Sequence, residues 1–396
     1  MTDIAAEDVS GEAAATSARG TLPRRDLIIL PLLSLATLVV LLVCSEVGAR
    51  LYFAESIDDV CRIHGAAPGE TRNLPNCHTE LKLPEGRMAA YSYNECGYRT
   101  DAPCGPRPAG VKRIALIGSS MAQSYGVAYD DAFATRAGRA LEKSCGGPVQ
   151  IEDMGAVGNS ILGMHNEMGE ALGLRPDAVV MMVDPFDVWS LSSYPDPATQ
   201  SPPTGQAGPA PDPAPPNLVH RLEMQLKSSR AVFLMQHFLF RNRDFYIKAY
   251  LLYGDKADFL RTPATAAWTE RFAEFERLAA DMAARARAAN VPFVLLLGPQ
   301  QAQAVLMSMK HLPAGVDPRA FGRQMAGIAD RHGIVLVNGA DAFAGVARPE
   351  EDFFPVDGHP DEKGNAVIAN ALVRGLVQGP AAPFAGCAAA RSAAAN

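Results

Sequence analysis

The sequence lacks the features that mark nucleotide-dependent, metal-dependent and nucleic-acid-binding proteins. It contains no phosphate loop, no dinucleotide fingerprint and no zinc-protease motif, and no internal repeat is found. The formal net charge is −7, so no basic excess supports nucleic-acid binding. We therefore expect no cofactor, no metal and no nucleic-acid partner, in a chain whose 48% apolar residues are ample for a sizeable core.

One long uncharged run is present near the N-terminus, from Leu27 to Cys44. As a helix rising about 1.5 Å per residue, it would span about 27 Å, enough to cross the apolar core of a bilayer. Arg19, Arg24 and Arg25 precede the run, and basic residues favour the cytoplasmic side. The sequence thus predicts a single-pass protein of the cell inner membrane, with the domain that follows the run outside the cytoplasm, in the periplasm.

Three other interpretations of this run compete. A buried core helix is disfavoured because the run is too uniformly apolar. A cleaved signal peptide would use the small residues around Val47-Gly48-Ala49 as its cleavage site. A lipid anchor on Cys44 is disfavoured because Val43 is bulkier than the residue that usually precedes such a cysteine. The length and the flanking charges favour a retained anchor.

The cysteine count agrees with export. Outside the apolar run there are six cysteines, an even number that suits a disulfide-bonded extracytoplasmic protein. The short loops favour Cys61 with Cys77 and Cys96 with Cys104, although the sequence alone does not fix the pairing. A zinc site using Cys61, His64, Cys77 and His78 is the alternative, and its spacing fits no standard zinc module.

Composition and periodicity divide the chain into segments. Short buried-strand patterns alternate with helical stretches after Lys112, which predicts a three-layer α/β/α domain around a parallel sheet. The predicted strands are Ile114–Ile117, Val149–Met154, Ala178–Val183, Phe293–Leu297 and Ile334–Val337. The predicted segments are a disordered cytoplasmic tail (1–25), a transmembrane helix (26–48), a cysteine-containing lead-in (49–111), the main domain (112–379) and a flexible tail (380–396).

Two insertions interrupt the main domain. Three helices are predicted in the rest of that domain. Residues 195–217 are proline-rich, and residues 218–262 read as a helical insertion that forms a lid, a membrane-surface helix pair or structural padding. Asp131 is predicted to cap a helix that ends near Cys145. A stripe beginning at Trp268 predicts a core-facing helix, and the last helix is expected over Glu362–Val377.

Three separated stretches carry residues suited to acyl transfer. Ser119 and Ser120 follow the first predicted strand, and ligands bind at the carboxyl ends of such strands. Asp357 and His359 lie just before the last helix, where His359 can act as a base and Asp357 can orient it. Gly158, after the second strand, can present a backbone N–H to a developing oxyanion.

Taken together, these stretches resemble the SGNH/GDSL hydrolase family, whose domain has a flavodoxin-like α/β/α fold. The Gly-Asp-Ser motif of the family aligns with Gly118-Ser119-Ser120, and its C-terminal Asp and His align with Asp357 and His359. The resemblance covers about Asn94 to Val377, without the proline-rich insertion. It looks closest to membrane-anchored bacterial members, whose further motifs match Asn94, Gly97, Tyr98 and Arg99 before the serine, and Gly126-Val127 after it.

The resemblance implies a catalytic Ser120, His359 and Asp357, with Ser120 and Gly158 in the oxyanion hole. Two positions depart from the family pattern. Ser119 replaces the family Asp, and Phe186 occupies the place of the asparagine that donates to the oxyanion in the third motif. Phenylalanine donates no hydrogen bond, so Asn159 is the suggested substitute.

The implied activity is that of an extracytoplasmic serine esterase that removes an O-linked acyl group, with acetyl on a glycan as the leading substrate. An O-acyltransferase that uses a sugar hydroxyl in place of water is the second hypothesis. A catalytically degenerate glycan-binding or assembly protein is the third, because Phe186 removes one oxyanion donor.

Overall fold

The structure is a computed structural model that describes residues 23, 25–53, 56–65, 67–193, 228–378 and 381–387. The proline-rich insertion lies outside the described residues, as does most of the predicted N-terminal tail. The first helix, α1 (Asp26–Tyr52), is 27 residues long and exposes its apolar side chains. Within the described part of the chain it is the one helix long and apolar enough to cross a membrane.

The lead-in forms two small antiparallel hairpins: β1 (Arg62–His64) with β2 (Thr71–Asn73), and β3 (His78–Lys82) with β4 (Met88–Ser92). Disulfides join Cys61 to Cys77 and Cys96 to Cys104, which confirms both predicted pairs. The zinc interpretation is wrong, because two of its four ligands are bonded to each other.

A third disulfide joins Cys145 to Cys387 across a sequence separation of 242 residues. It holds the end of a domain helix against the C-terminal segment, in which Phe384 is also buried. The apolar helix α1 and the three disulfides together suit a location outside the cytoplasm.

The main sheet has five parallel strands in the order β6-β5-β7-β8-β9. These strands are β5 (Lys112–Gly118), β6 (Val149–Asp153), β7 (Ala178–Val183), β8 (Phe293–Leu297) and β9 (Val335–Asn338). Each overlaps a predicted strand, because strands buried on both faces read as continuous apolar runs. The order is that of a flavodoxin-like domain, in which the strand order reverses at β5: β6 lies on one side of it and β7, β8 and β9 lie on the other.

Helices cover both faces of the sheet, as the predicted three-layer α/β/α fold requires. In chain order they are α2 (Phe133–Cys145), α3 (Ile161–Gly173), α4 (Pro185–Ser190), α5 (Arg230–Phe240), α6 (Arg243–Tyr250), α7 (Ala266–Ala288), α8 (Gln301–Ser308), α9 (Ala320–His332) and α10 (Glu362–Val377). Helices α3, α7 and α9 share one core with the sheet, and α2 and α10 share the core on the other face. The stripe headed by Trp268 is buried and α10 spans the predicted residues, which confirms both helices.

The prediction that Asp131 caps α2 is wrong. A short 3₁₀ turn over Tyr129–Asp131 intervenes, and Ala132 occupies the cap position without a side-chain hydrogen bond. The Asp131 carboxylate instead pairs with Arg136 within the first turns of α2.

The described part of the helical insertion packs into the domain. Phe240 of α5 and Tyr246 and Tyr250 of α6 are buried in the core that contains α3 and α7. The N-terminus of α5 also meets the end of α1, where Glu46 accepts hydrogen bonds from the Ser229 hydroxyl at 2.8 Å and the Ala231 N–H at 3.0 Å. The 3₁₀ segment Leu251–Leu260 then contacts α4.

Candidate active site

Ser120 lies immediately beyond the carboxyl end of β5, the strand on either side of which the sheet order reverses. Ser119 is buried, whereas Ser120 is half-buried and accessible. A crevice outside the strand ends at such a switch point is where open α/β sheets bind ligands. The fold therefore presents the Ser120 hydroxyl at the edge of the sheet where chemistry is expected.

The structure brings Ser120, His359 and Asp357 together, although 239 positions separate the serine from the histidine. His359 Nε2 is 2.8 Å from Ser120 Oγ, and His359 Nδ1 is 2.6 Å from Asp357 Oδ1. This geometry fits an imidazole that donates Nδ1–H to the carboxylate and accepts the serine O–H at Nε2. The His359 backbone N–H also donates to Asp357 Oδ1 at 3.2 Å, which fixes the turn.

The two charged partners change each other's proton affinity. Burial lowers the pKa of His359, but the charge of Asp357 and its hydrogen bond outweigh burial, so the pKa is raised above the ordinary value. Burial raises the pKa of Asp357, and the charge and hydrogen bonds of His359 reverse this, so that pKa is lowered. The carboxylate is therefore ionised wherever the imidazole gains its proton.

Gly158 lies after β6, the strand beside β5, and its backbone has φ of +81°. The space around it is open, since an added Cβ would have only the Thr71 hydroxyl within 4 Å, at 3.8 Å. The left-handed backbone is thus the reason for glycine here. Within the described residues, the backbone N–H groups of Gly158 and Ser120 donate no hydrogen bond to the protein.

Asn159 is buried and held by two partners. Its side-chain amide donates to Glu167 at 3.0 Å, and its side-chain oxygen accepts the Thr71 N–H at 3.2 Å. These contacts tie β2 of the lead-in to α3. One amide hydrogen is left over, so the role of Asn159 as an oxyanion donor stays a prediction.

Phe186 is the second residue of α4, just after β7, and leaves 42% of its surface exposed. Its neighbours Asp184 and Asp187 form a capping box, with Asp187 N–H donating to Asp184 Oδ1 at 2.8 Å. The other Asp184 oxygen accepts Gln300 Nε2 at 2.6 Å, so both oxygens of this carboxylate are bound by protein donors. Burial is the main cause that raises the pKa of Asp184.

The loop after Ser120 is clamped by the lead-in. The buried Arg99 donates to the carbonyls of Gln123 and Val127, the latter at 2.6 Å, and stacks at 3.8 Å over the ring of Tyr91. The Tyr91 hydroxyl accepts the Gly126 N–H at 2.9 Å. Arg99 belongs to the motif before the serine that matches the family, so the sequence already marked this residue as a candidate for a role near Ser120.

Glu85 is a residue at the site that sequence reasoning missed. It lies in the turn between β3 and β4, and its carboxylate accepts the Val356 N–H at 2.6 Å, next to Asp357. Its side chain is 1% exposed, and burial raises its pKa to about 7. No local pattern marks this residue, since its partner is 271 positions away.

No family model and no curated protein matches the chain. Solved structures similar to it include an α/β hydrolase from the metagenome of Lake Arreo, Spain (16% identity, 70% of this chain and 96% of that chain, TM-score 0.38). Others are an acetylxylan esterase of Geobacillus stearothermophilus (14%, 67% and 93%, 0.38) and a protein of the G-D-S-L family from Desulfitobacterium hafniense (10%, 67% and 99%, 0.33). These TM-scores lie below 0.5, so function is inferred from the residues and geometry of this chain.

Proposed function

We propose that this protein is an SGNH/GDSL-type serine esterase that removes an O-linked acyl group, with acetyl on a glycan as the proposed substrate. The observation that supports this most is the continuous hydrogen-bonded series Ser120–His359–Asp357 at the sheet switch point. A nucleophile, a base and a group that orients the base are what ester cleavage by a serine requires.

In the proposed reaction, Ser120 Oγ attacks the ester carbonyl while His359 Nε2 takes the hydroxyl proton. Asp357 stabilises the imidazolium, and the N–H groups of Ser120 and Gly158 bind the oxyanion, with Asn159 as a third donor. The imidazolium then protonates the departing alcohol as the C–O bond breaks. Water, deprotonated by His359, then attacks the acyl-serine; the bond between the acyl carbon and Ser120 Oγ breaks, His359 returns the proton to Ser120 Oγ, and the carboxylic acid leaves.

We also propose that α1 is retained as a membrane anchor and that the catalytic domain lies in the periplasm. The uncharged run, the preceding arginines and the disulfides support this placement. Fractionation of cells into membrane and soluble parts, followed by protease treatment of spheroplasts, tests it. A soluble, shortened protein would indicate that the segment is a cleaved signal.

The activity is tested by labelling the full-length protein in detergent with a fluorophosphonate, next to a Ser120→Ala variant. The probe reacts with an activated serine whatever the natural substrate, and we expect labelling that the variant abolishes. Absence of labelling in a protein with an intact thermal transition would contradict the proposal and favour a glycan-binding protein.

A radiolabelled acyl donor then separates the two modes of turnover. Release of free carboxylic acid indicates hydrolysis, whereas label found on an added oligosaccharide indicates transfer to a sugar hydroxyl.

A further inference from the structure

A cluster of aromatic rings surrounds a lysine at the end of β7, and the proposed reaction does not use it. Lys256 Nζ lies 4.6 Å from the ring centre of Phe186, 5.7 Å from that of Trp189 and 6.0 Å from that of Tyr253. Phe186 and Tyr253 are exposed, and Trp189 is half-buried. We call these four residues the aromatic–lysine cluster.

The cluster is held in place from behind. The Trp189 indole N–H donates to Asp255 at 3.2 Å, and Arg271 binds the same carboxylate with two hydrogen bonds of 2.9 and 2.6 Å. The rings of Trp189 and Phe186 lie 5.5 Å apart with an interplanar angle of 31°. The two rings are therefore held side by side, with Phe186 exposed and Trp189 partly exposed.

Lys256 is half-buried, yet within the described residues its ammonium has no hydrogen-bond acceptor and no carboxylate within 4 Å. An ammonium carries three donors, and ring faces satisfy none of them as hydrogen bonds. Burial lowers the pKa of Lys256, while the charge of Asp184 opposes that shift. A cation that is partly removed from water and unpaired is stabilised when an anion binds.

The cluster lies beside the candidate active site. Phe186 stands between Asp184 and Asp187, and Asp187 shares a hydrogen bond with Ser119, the neighbour of Ser120. Strands β5 and β7 are paired, with Gly118 opposite Met182, so Ser120 and Phe186 both follow the carboxyl ends of adjacent strands. A molecule whose ester is at Ser120 therefore has the cluster within reach of its adjoining groups.

We propose that the aromatic–lysine cluster is a subsite for an anionic sugar ring adjoining the acylated one, which deepens and rests on the proposed function. The apolar face of the ring would pack on Phe186 and Trp189, since aromatic side chains offer large flat apolar surfaces. Its carboxylate would accept hydrogen bonds from Lys256. Phe186 thereby provides a substrate contact where the family pattern has an oxyanion donor.

The test compares two acetylated oligosaccharides of equal length, one of uronic acids and one of neutral xylose. For the native full-length protein, we expect kcat/KM to favour the uronate substrate about tenfold, the effect of one charge-assisted contact. Lys256→Met should bring the two values to within about twofold, and Lys256→Arg should keep most of the preference. Lys248→Met, on the exposed face of α6, is the matched control and should leave the ratio unchanged.

Binding without turnover keeps the two proposals separable. Calorimetric titration of the deacetylated uronate oligosaccharide into native and Lys256→Met protein should show affinity that the substitution weakens about tenfold. Equal affinity in both proteins, or no preference for uronate, would overturn the subsite even if Ser120 is labelled by fluorophosphonate. Uronate binding that depends on Lys256, with no labelling of Ser120, would instead overturn the esterase.

Discussion

In the proposed mechanism, two of the three oxyanion donors are backbone N–H groups, because position 186 carries a phenyl ring that donates no hydrogen bond. Of the groups assigned, Ser120 and Gly158 contribute N–H donors that are not engaged elsewhere in the described residues. Their placement depends on the local backbone and not on a side-chain rotamer. The orientation of Gly158 therefore has a larger effect here than in a site with a third, well-placed amide.

Gly158→Ala should lower kcat on a small aryl acetate by about 100- to 1000-fold, because the left-handed backbone shifts and withdraws one donor. The strain of alanine at this φ costs about 1–2 kcal/mol of stability. Gly333→Ala is the control, since Gly333 also has positive φ (+63°) with nothing within 4 Å of an added Cβ and lies after α9. Similar rate losses in both variants would mean that strain alone, and not the lost donor, slows the reaction.

The pH dependence of the reaction is also set by single residues, His359 and Asp357. His359 must be neutral to accept the Ser120 proton, so kcat/KM should fall as pH drops through its pKa. Because Asp357 raises that pKa, the midpoint should lie above the ordinary histidine value of about 6.5. Asp357→Asn should move the midpoint to lower pH and reduce kcat by about 10⁴-fold. A midpoint that the substitution leaves in place would show that another group titrates.

At the scale of elements, the site depends on how the lead-in meets the loop before α10. The turn between β3 and β4 places Glu85 under the Val356–Asp357 backbone, and the hairpin core includes Phe354 from that loop. The lead-in therefore helps to position Asp357 and His359 relative to Ser120 at the end of β5.

Glu85→Ala should reduce kcat by about tenfold or more, since it leaves the partly buried Val356 N–H unpaired and loosens the turn that carries Asp357. The loss of stability should be about 1–3 kcal/mol. Glu80→Ala, on an exposed position of β3 in the same hairpin, is the control and should change neither quantity. The comparison needs kcat, KM and thermal unfolding of both variants. Loss of stability without loss of kcat would assign Glu85 a purely structural role.

The sequence predicted the elements whose signal is local. The five strands were visible because each is a continuous apolar run, and Ser120, Asp357 and His359 could be found because they follow or precede such elements. Glu85 and Lys256 could not be found, because folding alone brings them to the site from distant parts of the chain. The Asp131 cap failed because a 3₁₀ turn delays the start of α2.

Across the molecule, several buried carboxyl groups make the free energy of unfolding depend on pH. Burial raises the pKa of Glu85, Glu152 and Asp153 to about 7 and that of Glu167 to about 8. Between the ordinary pKa values, 4.5 for Glu and 3.8 for Asp, and these raised values, the folded state holds protons that the unfolded chain releases. Stability should therefore fall as pH rises through this window, and the raised pKa of His359 acts in the same direction.

We expect the melting temperature at pH 8 to lie below that at pH 5 by on the order of 5 °C. Glu276 does not oppose this trend, since hydrogen bonds from Arg331 and His332 lower its pKa to about 2, outside the window. Scanning calorimetry from pH 5 to 8 provides the measurement, and Glu167→Gln should flatten the slope. A melting temperature that rises over this range would contradict the assignment.

The Cys145–Cys387 bridge also changes the topology of the polymer. Residues 145 to 387 become a closed ring, with Ser120 in the part of the chain that precedes the ring and His359 in the ring itself. A protease that cuts once inside the ring opens it without releasing a fragment. The disulfide then keeps Ser120 and His359 in one covalently joined molecule. Such a molecule would run as one species on a gel without reductant and as two with it. Only reduction or a second cut would separate the base from its serine.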